Sequence, residues 1–162
     1  MTQQPKTNYG LLLDKKLAEL EKSGEKPSLL LHACCAPCSS HTLTVLDKYF
    51  DITLYFCNPN ISPEEEFSFR LDELKRLVKE MGLDIRIVEE PYDPKPFYEL
   101  AKGLEDLPER GERCQKCIEL RLRMAGAKAK EFGCDIDYNV YTENANPKPK
   151  GERTNLRSAG QV

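Results

Sequence analysis

Apolar and polar positions change period several times along the chain, and each change marks an element. Leucines recur at helical spacing through GLLLDKKLAELEK (10–22), and Gly24 and Pro27 close that helix. A short unbroken apolar run from Ser28 to Ala33 reads as a buried strand, and Ser39 and Ser40, after Pro37, are the expected caps of a helix ending near Tyr49. Asp51 to Cys57 (DITLYFC) is a second strand, rich in β-branched and aromatic residues. ISPEEEFSFRLDELKRLVKEMG is the clearest helix, because Phe67, Leu71, Leu74, Val78 and Met81 share one face. Ser62 is expected to cap it, with Pro63 at the first position, Glu65 completing a capping box and Gly82 ending it. Asp84 to Glu89 alternates as a third strand, and a short helix is expected around Tyr98 to Lys102. In the next helix Ile118, Leu122, Ala125, Ala129 and Phe132 share a face and Gly133 is the stop; DIDYNVYT then predicts a fourth strand.

Strands alternating with helices from residue 28 onward imply right-handed crossovers and a parallel sheet, hence an α/β fold. Loops that bind or react lie at the carboxyl ends of such strands. CCAPC follows the first strand, CNPNIS the second, and Tyr92 and Asp93 of EEPYD the third, so these stretches border one edge. The chain divides into an N-terminal helix and linker (1–27), an α/β domain (28–142) and a tail (143–162) with the Pro, Gly, Asn and Lys content of a flexible segment.

Composition narrows the chemistry. With 162 residues, 40 % hydrophobic and 31 % charged, the chain is long enough for one substantial core. A formal net charge of −3 leaves any nucleic-acid contact to a local patch. No apolar run is long enough for a membrane span and the start has no signal-peptide pattern, which points to the cytoplasm. In that compartment seven cysteines point to metal or redox chemistry. Cys34, Cys35 and Cys38 form one group and Cys114 and Cys117 a second, at the start of a helix; Cys57 and Cys134 read as isolated, buried thiols. Both groups sit where helix N–H groups favour thiolates. If the fold joins them, five sulfurs converge, one more than a tetrahedral zinc requires. A four-cysteine zinc site, an iron–sulfur cluster and thioredoxin-like thiol–disulfide exchange at Cys35-Ala-Pro-Cys38 all remain open at this point.

HACCAPC, CNPNISPEEEFSFRLDEL, EEPYD and GLEDLPERGERCQKCIELRL, in this order, resemble the non-cobalamin epoxyqueuosine reductase family over about Leu29 to Cys134. The resemblance implies a Rossmann-like, three-layer parallel sheet of the nucleotide alpha-hydrolase-like kind. It implies reduction of the epoxide of epoxyqueuosine at the wobble position of tRNA with a GUN anticodon. It also implies a 4Fe-4S cluster beside a further metal ion (iron or zinc) and an unidentified electron donor. Cys34, Cys35, Cys114 and Cys117 match the family's cysteines, Cys38 matches a further metal-binding position, and Cys34, Cys35 and Cys38 are the expected catalytic thiols.

Other residues carry less specific signals. Asn58 and Asn60 are candidates to bond a base edge or ribose; Arg70, Arg113, Arg121 and Arg123 to touch phosphates; Glu109 to supply a proton. His32 is expected in the core and His41 on a helix surface. Cys57 stands where the resemblance leads one to expect an aromatic, and after GCD the chain lacks the family's usual C-terminal pattern. Lys148, Lys150, Arg153 and Arg157 in that tail are candidate RNA contacts. A zinc-stabilised, non-catalytic binding module is the alternative from a different functional class.

Overall fold

The structure, a computed structural model, describes residues 8–139. The tail from 143, with Lys148, Lys150, Arg153 and Arg157, lies outside the described residues. Its elements are α1 (Tyr9–Ser23), β1 (Ser28–His32), α2 (Ala36–Leu46), β2 (Asp51–Phe56), α3 (Glu64–Glu80), β3 (Arg86–Glu89), α4 (Lys95–Ala101), α5 (Glu112–Phe132) and β4 (Ile136–Asn139). The four strands form one parallel sheet in the order β3-β2-β1-β4, with Ser28 opposite Asp51, Thr53 opposite Arg86 and Leu29 opposite Ile136. This is the expected α/β, Rossmann-like architecture, and the strand order reverses at β1.

Strand alternation builds two cores from one sheet. Leu29 and Leu31 of β1, with Ile52, Leu54 and Phe56 of β2, face a core completed by Leu20, Leu43, Leu46, Phe67, Leu71, Leu74 and Val78 of α1 to α3. Leu30 and Tyr55 point the other way, onto Ala125 and Ala129 of α5, with Cys57 between them and Met124 and Cys134 alongside. Helices thus cover both faces, as the expected three layers require. Asp135 ties β4 to β1: its Oδ2 accepts from the Ser28 N–H at 3.0 Å and hydroxyl at 2.8 Å, while its own N–H donates to Ser28 Oγ.

Three local expectations need correction. Cys35, not a serine, is the N-cap of α2, because Pro37 sits inside the first turn rather than before it. Ser39 and Ser40 instead donate back to the carbonyls of Cys35 and Pro37 at 2.9 and 3.0 Å. At α3 the N-cap is Pro63 and no capping box forms; the Ser62 hydroxyl accepts from Tyr98 at 3.0 Å, and Glu64, Glu65 and Glu66 answer the helix dipole. On α5 the buried stripe is Cys117, Arg121, Ala125 and Ala129, while Ile118 and Leu122 are half-buried and Phe132 is exposed. Apolar periodicity places the stripe by its largest residues; the sheet selects the smallest, because alanines let a helix approach closely.

That close approach is testable. Ala125 is fully buried against Leu30 and Tyr55. Ala125→Leu is expected to destabilise the fold by about 1–3 kcal/mol through overpacking, read as a lower urea midpoint. An unchanged midpoint would mean that α5 is loosely seated.

Candidate metal centre

The first cysteine group hangs from the end of β1. The Ala33 N–H still follows the ladder, donating to the Tyr55 carbonyl at 2.9 Å. The Ala33 carbonyl accepts from Asn58 Nδ2 at 2.9 Å, which ties the loops after β1 and β2 together. Beyond that tie, Cys34 is buried and Cys35 turns into α2 with extended backbone (φ −169°, ψ 163°). Cys35 Sγ lies 3.8 Å from Cys34 Sγ and 2.8 Å from Cys38 Sγ, and all three sulfurs lie within 4.8 Å of one another. Hydrogen bonds from Cys34 and Cys38 hold the Cys35 thiol far below its ordinary value, to about 2. The same contact with Cys35 pushes Cys34 up, to about 11, and contacts with Cys34 and Cys35 push Cys38 up. The trio therefore carries its first negative charge on Cys35, beside the amino end of α2.

These distances bear on what the thiols can hold. Tetrahedral metal–thiolate bonds of about 2.3 Å place sulfurs about 3.8 Å apart, which is the Cys34–Cys35 spacing. The Cys35–Cys38 spacing of 2.8 Å is shorter than that edge and longer than the roughly 2.0 Å of a disulfide. A metal ion here requires Cys38 Sγ, on a half-buried side chain, to move outward by about 1 Å.

The second group opens α5. Gly111 is its N-cap, and a Cβ there would meet the Pro108 carbonyl oxygen at 2.9 Å, so the turn admits only glycine without shifting. Arg110, at φ 68°, aims its backbone N–H at Cys114 Sγ, 3.3 Å away. Arg113 Nη1 donates to the Glu105 carbonyl at 2.6 Å and closes the loop. Cys117 is buried, and burial pushes its thiol up against the opposing pull of Arg121, one helical turn further along α5. Arg121 also acts electrostatically on Cys34, so one guanidinium favours the thiolate form in both groups. Cys114 and Cys117 stay outside the 4.8 Å circle of the first trio.

Comparison with known proteins decides the family. The model of the family described as Epoxyqueuosine reductase QueH matches residues 29–142. The chain belongs to the QueH family. It is 38 % identical over 156 residues to an epoxyqueuosine reductase QueH of Staphylococcus epidermidis, covering 93 % of this chain and 65 % of that protein. It is 37 % identical over 146 residues to that of Streptococcus pyogenes serotype M1, covering 88 % and 57 %, and 42 % identical over 109 residues to that of Histophilus somni, covering 67 % and 44 %. The chain thus spans less than two thirds of the length of these relatives.

The QueH match includes both cysteine groups and most of the remaining candidates, whose placements differ. Asn58 is 1 % exposed; Asn60 is half-buried; the Oδ1 of each is buried with no hydrogen-bond partner. Arg70 is half-buried, pairs with Glu66 at 2.6 Å, and acts electrostatically on Cys35. Glu109 is exposed in the loop before α5. Arg123 is spent on Glu119 at 2.7 Å on an exposed helix face. Tyr92 packs on the Phe67 ring and Asp93 accepts from the Lys95 N–H at the start of α4, so both hold structure. Cys57 lies in the α5-side core with its thiol 3.9 Å from Met124 Sδ, apart from the trio, and burial raises it. His41 is exposed, as expected, and His32 is buried with Nε2 2.8 Å from the Cys57 carbonyl oxygen. No helix among the described residues is long and apolar enough to cross a membrane.

Two features escaped the sequence reading. One is the Asn58–Ala33 tie; its only trace is an asparagine placed directly after a strand. The other is the Arg110 N–H aimed at Cys114, a backbone feature that side-chain identity cannot signal. Asn58→Ala is expected to destabilise the protein by about 1–3 kcal/mol, because it leaves a buried carbonyl unpaired. It should also speed alkylation of Cys34, read by mass spectrometry; an unchanged rate would mean that the loop holds its shape without the tie.

Proposed function

We propose that this chain is the thiolate core of an epoxyqueuosine reductase acting on the wobble position of tRNA with a GUN anticodon in the cytoplasm. The observation that carries the reading is the trio Cys34, Cys35 and Cys38, drawn within 4.8 Å at the end of β1, where the strand order reverses. Soft thiolate donors of this kind suit iron–sulfur or zinc binding. Cys34, Cys35, Cys38, Cys114 and Cys117 would hold a 4Fe-4S cluster and an adjacent iron or zinc ion. When bound, the cluster supplies electrons singly and the ion Lewis acidity.

The reaction consumes two electrons and two protons; it breaks both epoxide C–O bonds, forms the ring alkene and releases water. An unidentified donor supplies the electrons. The chain's own residues bind and orient. Asn58 and Asn60 offer buried amide oxygens at the loop after β2, suited to N–H or O–H groups of a modified base. Arg70, which acts electrostatically on Cys35, and Arg113, which acts on Cys117, are the candidate phosphate contacts, against an overall net charge of −3. Glu109, exposed in the loop before the second cysteine pair, is the candidate proton donor.

A second reading, thioredoxin-like exchange, draws on the 2.8 Å Cys35–Cys38 spacing and the low-lying Cys35 thiol. It requires that Cys35 form a mixed disulfide with a trapping thiol in metal-free protein, with Cys38→Ser prolonging it. The leading reading is tested by anaerobic reconstitution with iron and sulfide, then turnover of epoxyqueuosine tRNA with dithionite. A brown protein that yields queuosine, with the rate falling at least about 100-fold in Cys35→Ala, is expected. A colourless protein holding one zinc, no iron and no turnover would overturn it in favour of a zinc-stabilised binding module.

A further inference from the structure

Arg121 is the one buried arginine or lysine among the described residues, at 9 % exposure. Its neighbours on the α5 stripe fix where it sits. Ala125 packs over Leu30 of β1 and Tyr55 of β2. Four residues toward the helix start, about 6 Å along the axis, Arg121 falls level with the ends of those strands, and Cys117 falls one step beyond. The strands run toward the CCAPC loop at that same edge. The guanidinium's residue therefore lies where the buried stripe of α5 meets the edge at which the Cys34 loop leaves β1, one helical turn from Cys117 on the same stripe. Exposed arginines of this chain behave differently: Arg76 and Arg123 pair with carboxylates one helical turn away.

We propose that Arg121 is a positioning residue that holds the two cysteine groups in one site, by placing a permanent buried positive charge within reach of both. Its burial also sets it apart from a phosphate-binding arginine on the rim. A guanidinium stays protonated at any working pH, so its charge is constant while thiolates gather. Thiolates brought together repel one another in a poorly hydrated setting, and a cation beside them offsets that repulsion. Lysine retains the charge but loses the planar fork; glutamine and methionine lose the charge. The inference rests on the metal-thiolate reading above.

Anaerobic titration of the full chain with cobalt(II), read by thiolate-to-cobalt charge-transfer absorption, tests it without turnover. The wild-type protein is expected to give a band whose intensity falls in Cys117→Ala. Arg121→Gln should bind cobalt at least about tenfold more weakly, about 1.4 kcal/mol, and lose band intensity to the level of Cys117→Ala. Adding Arg121→Gln to Cys117→Ala should then cost little more, because both act on one contact. Arg121→Lys should recover affinity to within about threefold, which a purely space-filling role would not predict. If Arg121→Gln does not fold, Arg121→Met, which keeps the stem, is expected to show the same loss. Wild-type affinity and intensity in a charge-free variant would overturn the role of Arg121 while leaving the metal site standing. A wild-type chain without any thiolate–cobalt band would overturn the metal-thiolate reading and this inference together.

Discussion

β1 has neighbours on both sides, and the helices that serve those neighbours lie on opposite faces of the sheet. α2 leaves β1 for β2 against one face, while α5 returns to β4 across the other. The amino ends of both helices therefore open at the same edge, separated by the thickness of the sheet. A peptide that must leave a buried strand there has few ways to satisfy its backbone groups. The chain meets this with the Asn58 amide on the Ala33 carbonyl and with Cys35 entering α2. The positions of Cys34 and Cys35 follow from that constraint.

The same constraint explains the electrostatics. Cys34 and Cys38 act as donors to Cys35, so one sulfur of the trio takes the charge and the other two resist losing their protons. Any ligand that draws all three as thiolates must supply positive charge, as metal ions do. Arg70 acts electrostatically on Cys35, and Arg121 on Cys34 and Cys117, each in the direction that favours the thiolate. The QueH family model matches residues 29–142, a span that contains both cysteine groups.

Much of this was legible in the residues. Alternation of Leu29 to Leu31 and Ile52 to Phe56 with helical repeats determined the parallel sheet, and the placement of CCAPC and CNPNIS after strands located the edge. The helix starts were misread because serines near an N-terminus signal caps, whereas here Pro37 and Pro63 moved the boundaries and the hydroxyls found other partners. The α5 face was misjudged because Ile118 and Leu122 outweigh alanines in any hydrophobic pattern. Arg121 reads in the sequence as a candidate phosphate contact for the same reason: a sequence shows its charge but not that its stripe of α5 turns inward.

The central claim is that two cysteine groups far apart in the chain serve one site at the carboxyl end of β1. The most direct measurement is the iron and acid-labile sulfide bound per chain after anaerobic reconstitution of Cys35→Ala and Cys117→Ala, each beside the wild type. A shared site predicts that both variants lose iron, although one alters the loop after β1 and the other the first turns of α5. Full iron and sulfide in Cys117→Ala, with loss confined to Cys35→Ala, would contradict it.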